Sequence, residues 1–99
     1  MRIIAKRSLR EHWAREGRED AEQPLKAWHQ AVEAADWKKP ADVKADYKNA
    51  GILADNRVCF NIAGNKYRLL VNIIYPYRTV LIKFVGTHKE YDQIDAESI

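Results

Sequence analysis

Arg68, His88 and Tyr91 are the residues of this chain whose types and spacing best suit chemistry. Arginine presents a planar fork that grips a phosphate at two points. An imidazole exchanges a proton near neutral pH, since its unperturbed pKa is about 6.5. A tyrosine offers a hydroxyl for hydrogen bonding and a ring on which a base can stack. Lys66, Lys83, Lys89 and Arg57 lie in the same half of the chain and add positive charge. RNA carries its own nucleophile, the 2′-hydroxyl. A protein that cuts RNA through that group needs a proton acceptor, a proton donor and cations around a charged pentacoordinate phosphorus. Arg68, His88 and Tyr91 are therefore the candidate catalytic set, with Lys66, Lys83, Lys89 and Arg57 as candidate phosphate-binding residues. Each piece alone has a plainer reading. Arg68 suits a solvent-facing strand position, and Tyr91 suits packing against a sheet.

The sign pattern of the charges supports the set. Seventeen basic and fourteen acidic residues leave a net charge of only +3. Yet no acid occurs between Asp55 and Glu90, a stretch that holds Arg57, Lys66, Arg68, Arg78, Lys83 and Lys89. The rest of the chain carries more acids than bases. A one-sign segment focuses a field on the surface it forms, and phosphate is the natural partner of a positive one. The alternative is a basic sheet face that is merely solvated.

Other chemistries lack their parts. Cys59 is the only cysteine and His12, His29 and His88 are dispersed, so no zinc site is expected, and no other metal or cofactor. No glycine-rich phosphate loop occurs, and the sheet segment has no carboxylate pair. Ser8 and Ser98 are the only serines and neither sits in a nucleophile elbow. Trp13, Trp28 and Trp37 read as packing residues, and His12 and His29 are assigned no chemistry.

These candidates need a scaffold, and the composition changes once, near residue 50. Ala, Glu and all three Trp dominate the first half, whereas nearly all the Ile, Tyr and Phe and most of the Val fall in the second. Helices first and a sheet after is an α+β order, with two N-terminal helices packed on one face of a mostly antiparallel sheet. Residues 2–5 suit a short strand. Ser8 and Glu11 have the spacing of a capping box for a helix running to Arg15, with Gly17 beyond its end. A second helix begins near Asp20, buries Leu25, Trp28, Val32 and Ala35, and ends at Lys38-Lys39-Pro40. A helical turn suits residues 41–47 and a strand stub 51–53. Strands are then expected at 57–62, 66–75 and 79–87, with a tight turn at Ala63-Gly64-Asn65. Lys66, Arg68, Leu70 and Asn72 share one face of the second of these, and Leu81, Lys83, Val85 and Thr87 one face of the third. A last helical turn suits 93–98.

Ninety-nine residues fit one domain spanning 1–99. The longest uncharged run, Leu69–Tyr77, is too short to span a bilayer, so no membrane role is expected. The first residues lack the apolar stretch of a secretion signal, and a lone cysteine suits a reducing compartment, so the expected location is the cytoplasm.

Two strings carry a resemblance, Phe60-Asn61-Ile62-Ala63-Gly64-Asn65-Lys66-Tyr67-Arg68-Leu69 and Gly86-Thr87-His88-Lys89-Glu90-Tyr91-Asp92. With Ala27-Trp28 and Lys44-Ala45-Asp46-Tyr47, they resemble HigB-type toxins of toxin–antitoxin systems, in the RelE superfamily. The resemblance implies a RelE-like fold and a metal-independent, cofactor-free endoribonuclease that cuts mRNA on the ribosome. It also implies a HigA-type helix-turn-helix antitoxin as partner, which alone contacts operator DNA. Carried over, Arg68 stabilises the scissile phosphate, His88 transfers a proton, and Tyr91 orients or stacks on the RNA. Asn61, Gly64 and Asn65 match the turn string and read as structural. Lys83 stands where arginine is as common, which keeps the charge but not the fork. Lys89 stands where a small residue is common. The same superfamily includes gyrase-directed toxins. A toxin that blocks a macromolecule without cutting, or an inactive homologue, is therefore the alternative.

Overall fold

In the computed structural model, which describes residues 1–99, the elements follow in this order. β1 (Arg2–Ile4), α1 (Lys6–Trp13), a 3₁₀ turn (Glu19–Ala21), α2 (Glu22–Ala34) and α3 (Pro40–Asp46) come first. β2 (Gly51–Ile52), β3 (Arg57–Ile62), β4 (Tyr67–Ile74), a second 3₁₀ turn (Tyr75–Tyr77), β5 (Thr79–Thr87) and α4 (His88–Tyr91) complete the chain. The five strands form one sheet in the order β1-β5-β4-β3-β2. Every pairing is antiparallel except that of β1 with β5. The expected α+β class and mostly antiparallel sheet are both present.

Alternation decides which sheet face is dry. Val58, Phe60 and Ile62 of β3 and Tyr67, Leu69, Val71 and Ile73 of β4 are buried beneath the helices. They meet Leu9, Leu25, Trp28, Val32 and Val43 in one hydrophobic cluster. Full burial of each large apolar side chain stabilises by about 1.5–3 kcal/mol. Phe60 is the aromatic centre. Trp37 stacks on it with centroids 6.1 Å apart, and Trp28 meets it edge-on at 5.5 Å. Trp37 keeps its polar end satisfied by donating Nε1–H to Asp46 at 2.9 Å. Trp13 lies half-buried at the rim, with the Lys26 ammonium over its ring.

Four local expectations need correction. Ser8 is not a cap, because α1 already starts at Lys6 after an extended Ala5, and Ser8 lies inside it. Pro40 does not end α2, which stops at Ala34; it opens α3, where a proline's missing N–H costs nothing. The last helix falls at His88–Tyr91, and residues 93–98 form only turns.

The fourth correction moves side chains across the sheet. Leu70 pairs with Phe84 but Val71 pairs with Ile82, so Lys83 is the extra residue of a β-bulge. Beyond a bulge the alternation is inverted. Val85 and Ile82 therefore pack on the core side, opposite Leu69 and Val71, while Phe84 and Gly86 oppose Leu70 and Arg68 on the other face. Leu81, Lys83, Val85 and Thr87 do not share one face.

Candidate active site

The site is organised by α4, a single helical turn set at the end of β5. Its start is fixed by a capping box. The Thr87 hydroxyl accepts from the Glu90 amide at 3.1 Å, and the Glu90 carboxylate accepts from the Thr87 amide at 2.9 Å. The His88 amide donates to the Lys66 carbonyl at 3.2 Å, so the turn begins where the β4–β5 ladder stops. His88 and Tyr91 lie three positions apart and share a side of this turn.

Gly86 faces Arg68 across the ladder. A β-carbon on Gly86 would lie 2.7 Å from Glu90 Oε1 and from the Phe84 ring. Any side chain at Gly86 would have to displace the Glu90 carboxylate or the Phe84 ring.

Arg68 is half-exposed on the face away from the helices. One guanidinium nitrogen donates to the Asn65 carbonyl at 3.1 Å, which holds the side chain along the hairpin and leaves the rest of the fork free. Its charge acts on both the Tyr91 hydroxyl and the Cys59 thiol. Tyr91 is pushed up to about 12, by burial first and then by the neighbouring Cys59. The phenol is thus a hydrogen-bond donor at neutral pH and not a base. Burial likewise pushes the Cys59 thiol up and keeps it uncharged. The Phe84 ring sits 6.2 Å from that of Tyr91 and supports it from β5.

His88 is exposed and its Nδ1 lies 3.2 Å from Asp92 Oδ2, one helical turn on. The Asp92 carboxylate thus lies beside the imidazole on the same helical turn. Asp92 is a neighbour of the candidate His88 that reasoning from residue types missed. Its spacing of four from His88 was the available signal.

The six cations of the acid-free segment divide evenly. Lys66 pairs with Asp20 at 2.5 Å and Arg78 with Asp36 at 2.5 Å. Arg57 donates to the Ile99 carbonyl at 2.5 Å, four residues along β3 from the row of Arg68, about 13 Å away. Arg68, Lys83 and Lys89 carry no carboxylate partner. Lys66 and Arg57 are therefore not brought to the site. The former is drawn to the helical side by Asp20, and the latter sits at the far end of the sheet.

A buried group went unread in the sequence. His12 is 3% exposed, with neither ring nitrogen hydrogen-bonded, and its ring meets Tyr67 edge-on at 5.0 Å. Burial first, then the nearby Arg18 and Arg15, lower its pKa to about 4. No three His, Cys, Asp or Glu side chains converge as a metal site would require. Three concave grooves lie away from Arg68, His88 and Tyr91, between α1 and α2, beside α3, and over α2 at Tyr47 and Ile62. No helix is long and apolar enough to cross a membrane.

The family model described as HigB_toxin, RelE-like toxic component of a toxin-antitoxin system, matches residues 21–94. That range contains α2, α3, strands β2 to β5 and α4. No curated protein matches the chain.

Proposed function

This chain belongs to the HigB family of RelE-like toxic components, which implies an antitoxin partner, and from that premise we propose a ribosome-dependent mRNA endoribonuclease. The observation that carries this reading is that the Arg68 charge acts on Tyr91, while His88, with Asp92 at 3.2 Å, precedes Tyr91 by three residues on α4. His88 Nε2 takes the proton of a 2′-hydroxyl, and the freed oxygen attacks the adjacent phosphorus. Arg68 stabilises the charge that gathers on the phosphate oxygens. The protonated Tyr91 phenol donates a hydrogen bond to the phosphate, the P–O5′ bond breaks, and the departing 5′-oxygen takes its proton from the His88 imidazolium or from water. The products are a 2′,3′-cyclic phosphate and a 5′-hydroxyl, and no metal or cofactor takes part. The ribosome that holds the message positions the substrate for the attack. The toxin acts as one domain of residues 1–99 in the cytoplasm. A HigA-type helix-turn-helix antitoxin neutralises it and supplies the only contact with operator DNA.

The test is to induce the chain in bacteria, alone and with its neighbouring gene, and to map RNA 5′ ends across all messages. The expected outcome is new 5′ ends within translated regions, in register with codons, lost in His88→Ala and suppressed by the neighbour. Growth arrest without new 5′ ends would replace this reading with that of a toxin that blocks gyrase or another macromolecule. Neither arrest nor cleavage would leave an inactive homologue.

A further inference from the structure

We propose that Arg18 is a positioning residue for this site: its two-pronged bond to Glu90 fixes α4, and with it His88 and Tyr91. Arg18 Nη1 and Nη2 donate to Glu90 Oε1 and Oε2 at 2.8 and 2.9 Å. The two residues are 72 positions apart, and Arg18 lies outside the residues matched by the family model. The Arg18 side chain is 16% exposed, whereas the other ion pairs that join two charged groups far apart in sequence are much wetter. A parallel fork-to-carboxylate pair fixes orientation as well as distance.

The need for such an anchor follows from the length of α4. Four residues make one turn, and one isolated turn is unstable in water because nucleation costs more than a single hydrogen bond returns. The capping box satisfies its first amides but ties it only to Thr87. Glu90 is where outside holds converge. Arg18 grips both oxygens, Arg15 adds a second cation at 3.9 Å, and Gly86 gives the carboxylate room against the sheet. Together these contacts hold the carboxyl at about 2, well below its ordinary range, with the Arg18 hydrogen bonds the largest cause. The linker that carries Arg18 is itself fastened nearby, where Asp20 accepts from the Tyr67 hydroxyl at 2.6 Å and pairs with Lys66. His88 and Tyr91 flank Glu90 on the same turn. Release of Glu90 frees both. A displacement of about 1 Å at a reacting group costs ~10²-fold in rate.

The catalytic consequence rests on the ribonuclease reading above, and the experiment separates the two. Glu90→Gln keeps a side chain that can complete the capping box but removes the charge that holds Arg18. Arg18→Ala removes the fork, and Arg18→Lys keeps the charge alone. Each is compared with the native chain by single-turnover cleavage on message-loaded ribosomes. Binding is measured on ribosomes whose message is 2′-O-methylated at the cut site, and amide hydrogen exchange at residues 88–92 reports on α4. Arg18→Ala and Glu90→Gln are expected to lose ~10²-fold in cleavage rate with unchanged binding. Exchange should quicken in α4 while β3 and β4 stay protected, and Arg18→Lys should fall between. Weakened binding at a native cleavage rate would make Arg18 an RNA contact and overturn the proposal. Loss of protection throughout the sheet would overturn it in favour of a general structural role, and native exchange in α4 would overturn it outright. If the native chain cuts no message, the ribonuclease reading fails, and α4 exchange in Glu90→Gln still decides whether Arg18 holds this turn.

Discussion

Arg68→Ala is expected to slow single-turnover cleavage by ~10²–10³-fold, the loss seen when a preorganised charge stabiliser is removed from a reacting centre. The folded state should survive, because Arg68 is half-exposed and contributes only hairpin contacts to the Asn65 and Tyr67 carbonyls. Binding to message-loaded ribosomes should weaken far less than the rate, since Lys83 and Lys89 keep their charge without Arg68. Arg68→Lys should recover part of the loss, because a lysine returns the charge but not the planar fork. Stopped cleavage assays and circular dichroism on the same preparations separate these effects. A native rate in Arg68→Ala would remove this residue from the chemistry.

The second large effect concerns acid. In the unfolded chain His12 takes a proton near its ordinary 6.5, whereas in the folded protein it does so only near 4. Between those values the unfolded state holds more protons, so stability falls as pH drops from 6.5 toward 4, by about 3 kcal/mol if the whole difference is realised. Glu90 acts lower on the scale. Its carboxyl titrates near 2 in the fold against 4.5 ordinarily, so its contribution is complete above 4.5 and is lost as pH falls toward 2. Chemical denaturation as a function of pH should show both limbs. His12→Leu should abolish the first and leave the second, and should hold or raise stability at pH 7, because it removes two buried nitrogens without partners. An unchanged acid limb in His12→Leu would assign the loss to other groups.

Strand positions were readable in the sequence because they rest on alternation. Val58, Phe60, Ile62, Tyr67, Leu69, Val71 and Ile73 point to the core as their spacing demands. The face of β5 was not readable, because one inserted residue at Lys83 inverts the pattern and no side-chain type announces it. Thr87 and Glu90 have the same capping spacing as Ser8 and Glu11, yet only the former cap a helix. The difference is tertiary. α1 begins directly behind β1, so the chain is already helical at Ser8, whereas Thr87 is still extended. Of the candidate site, Arg68, His88 and Tyr91 were legible from chemistry and motif. The partners of Lys66 and Arg57, Asp20 and Ile99, were not readable because they come from distant parts of the chain. Arg18 gave no local signal, and the spacing of Thr87 and Glu90 told of a cap but not of the Arg18 partner.

The parallel pairing of β1 with β5 has a temporal consequence. Arg2, Ile3 and Ile4 align with Thr79, Val80 and Leu81, and the first ammonium reaches the Glu33 and Ala35 carbonyls. The β3–β4 hairpin closes over a few residues, whereas the β1–β5 edge closes over most of the chain and carries the larger loop-closure cost. High-contact-order pairings of this kind form late. During synthesis β1 emerges well before β5 and waits for that partner. Arg68, His88 and Tyr91 fall in that same late portion. A nascent chain arrested before β5 is therefore expected to show no protection at β1 and no cleavage.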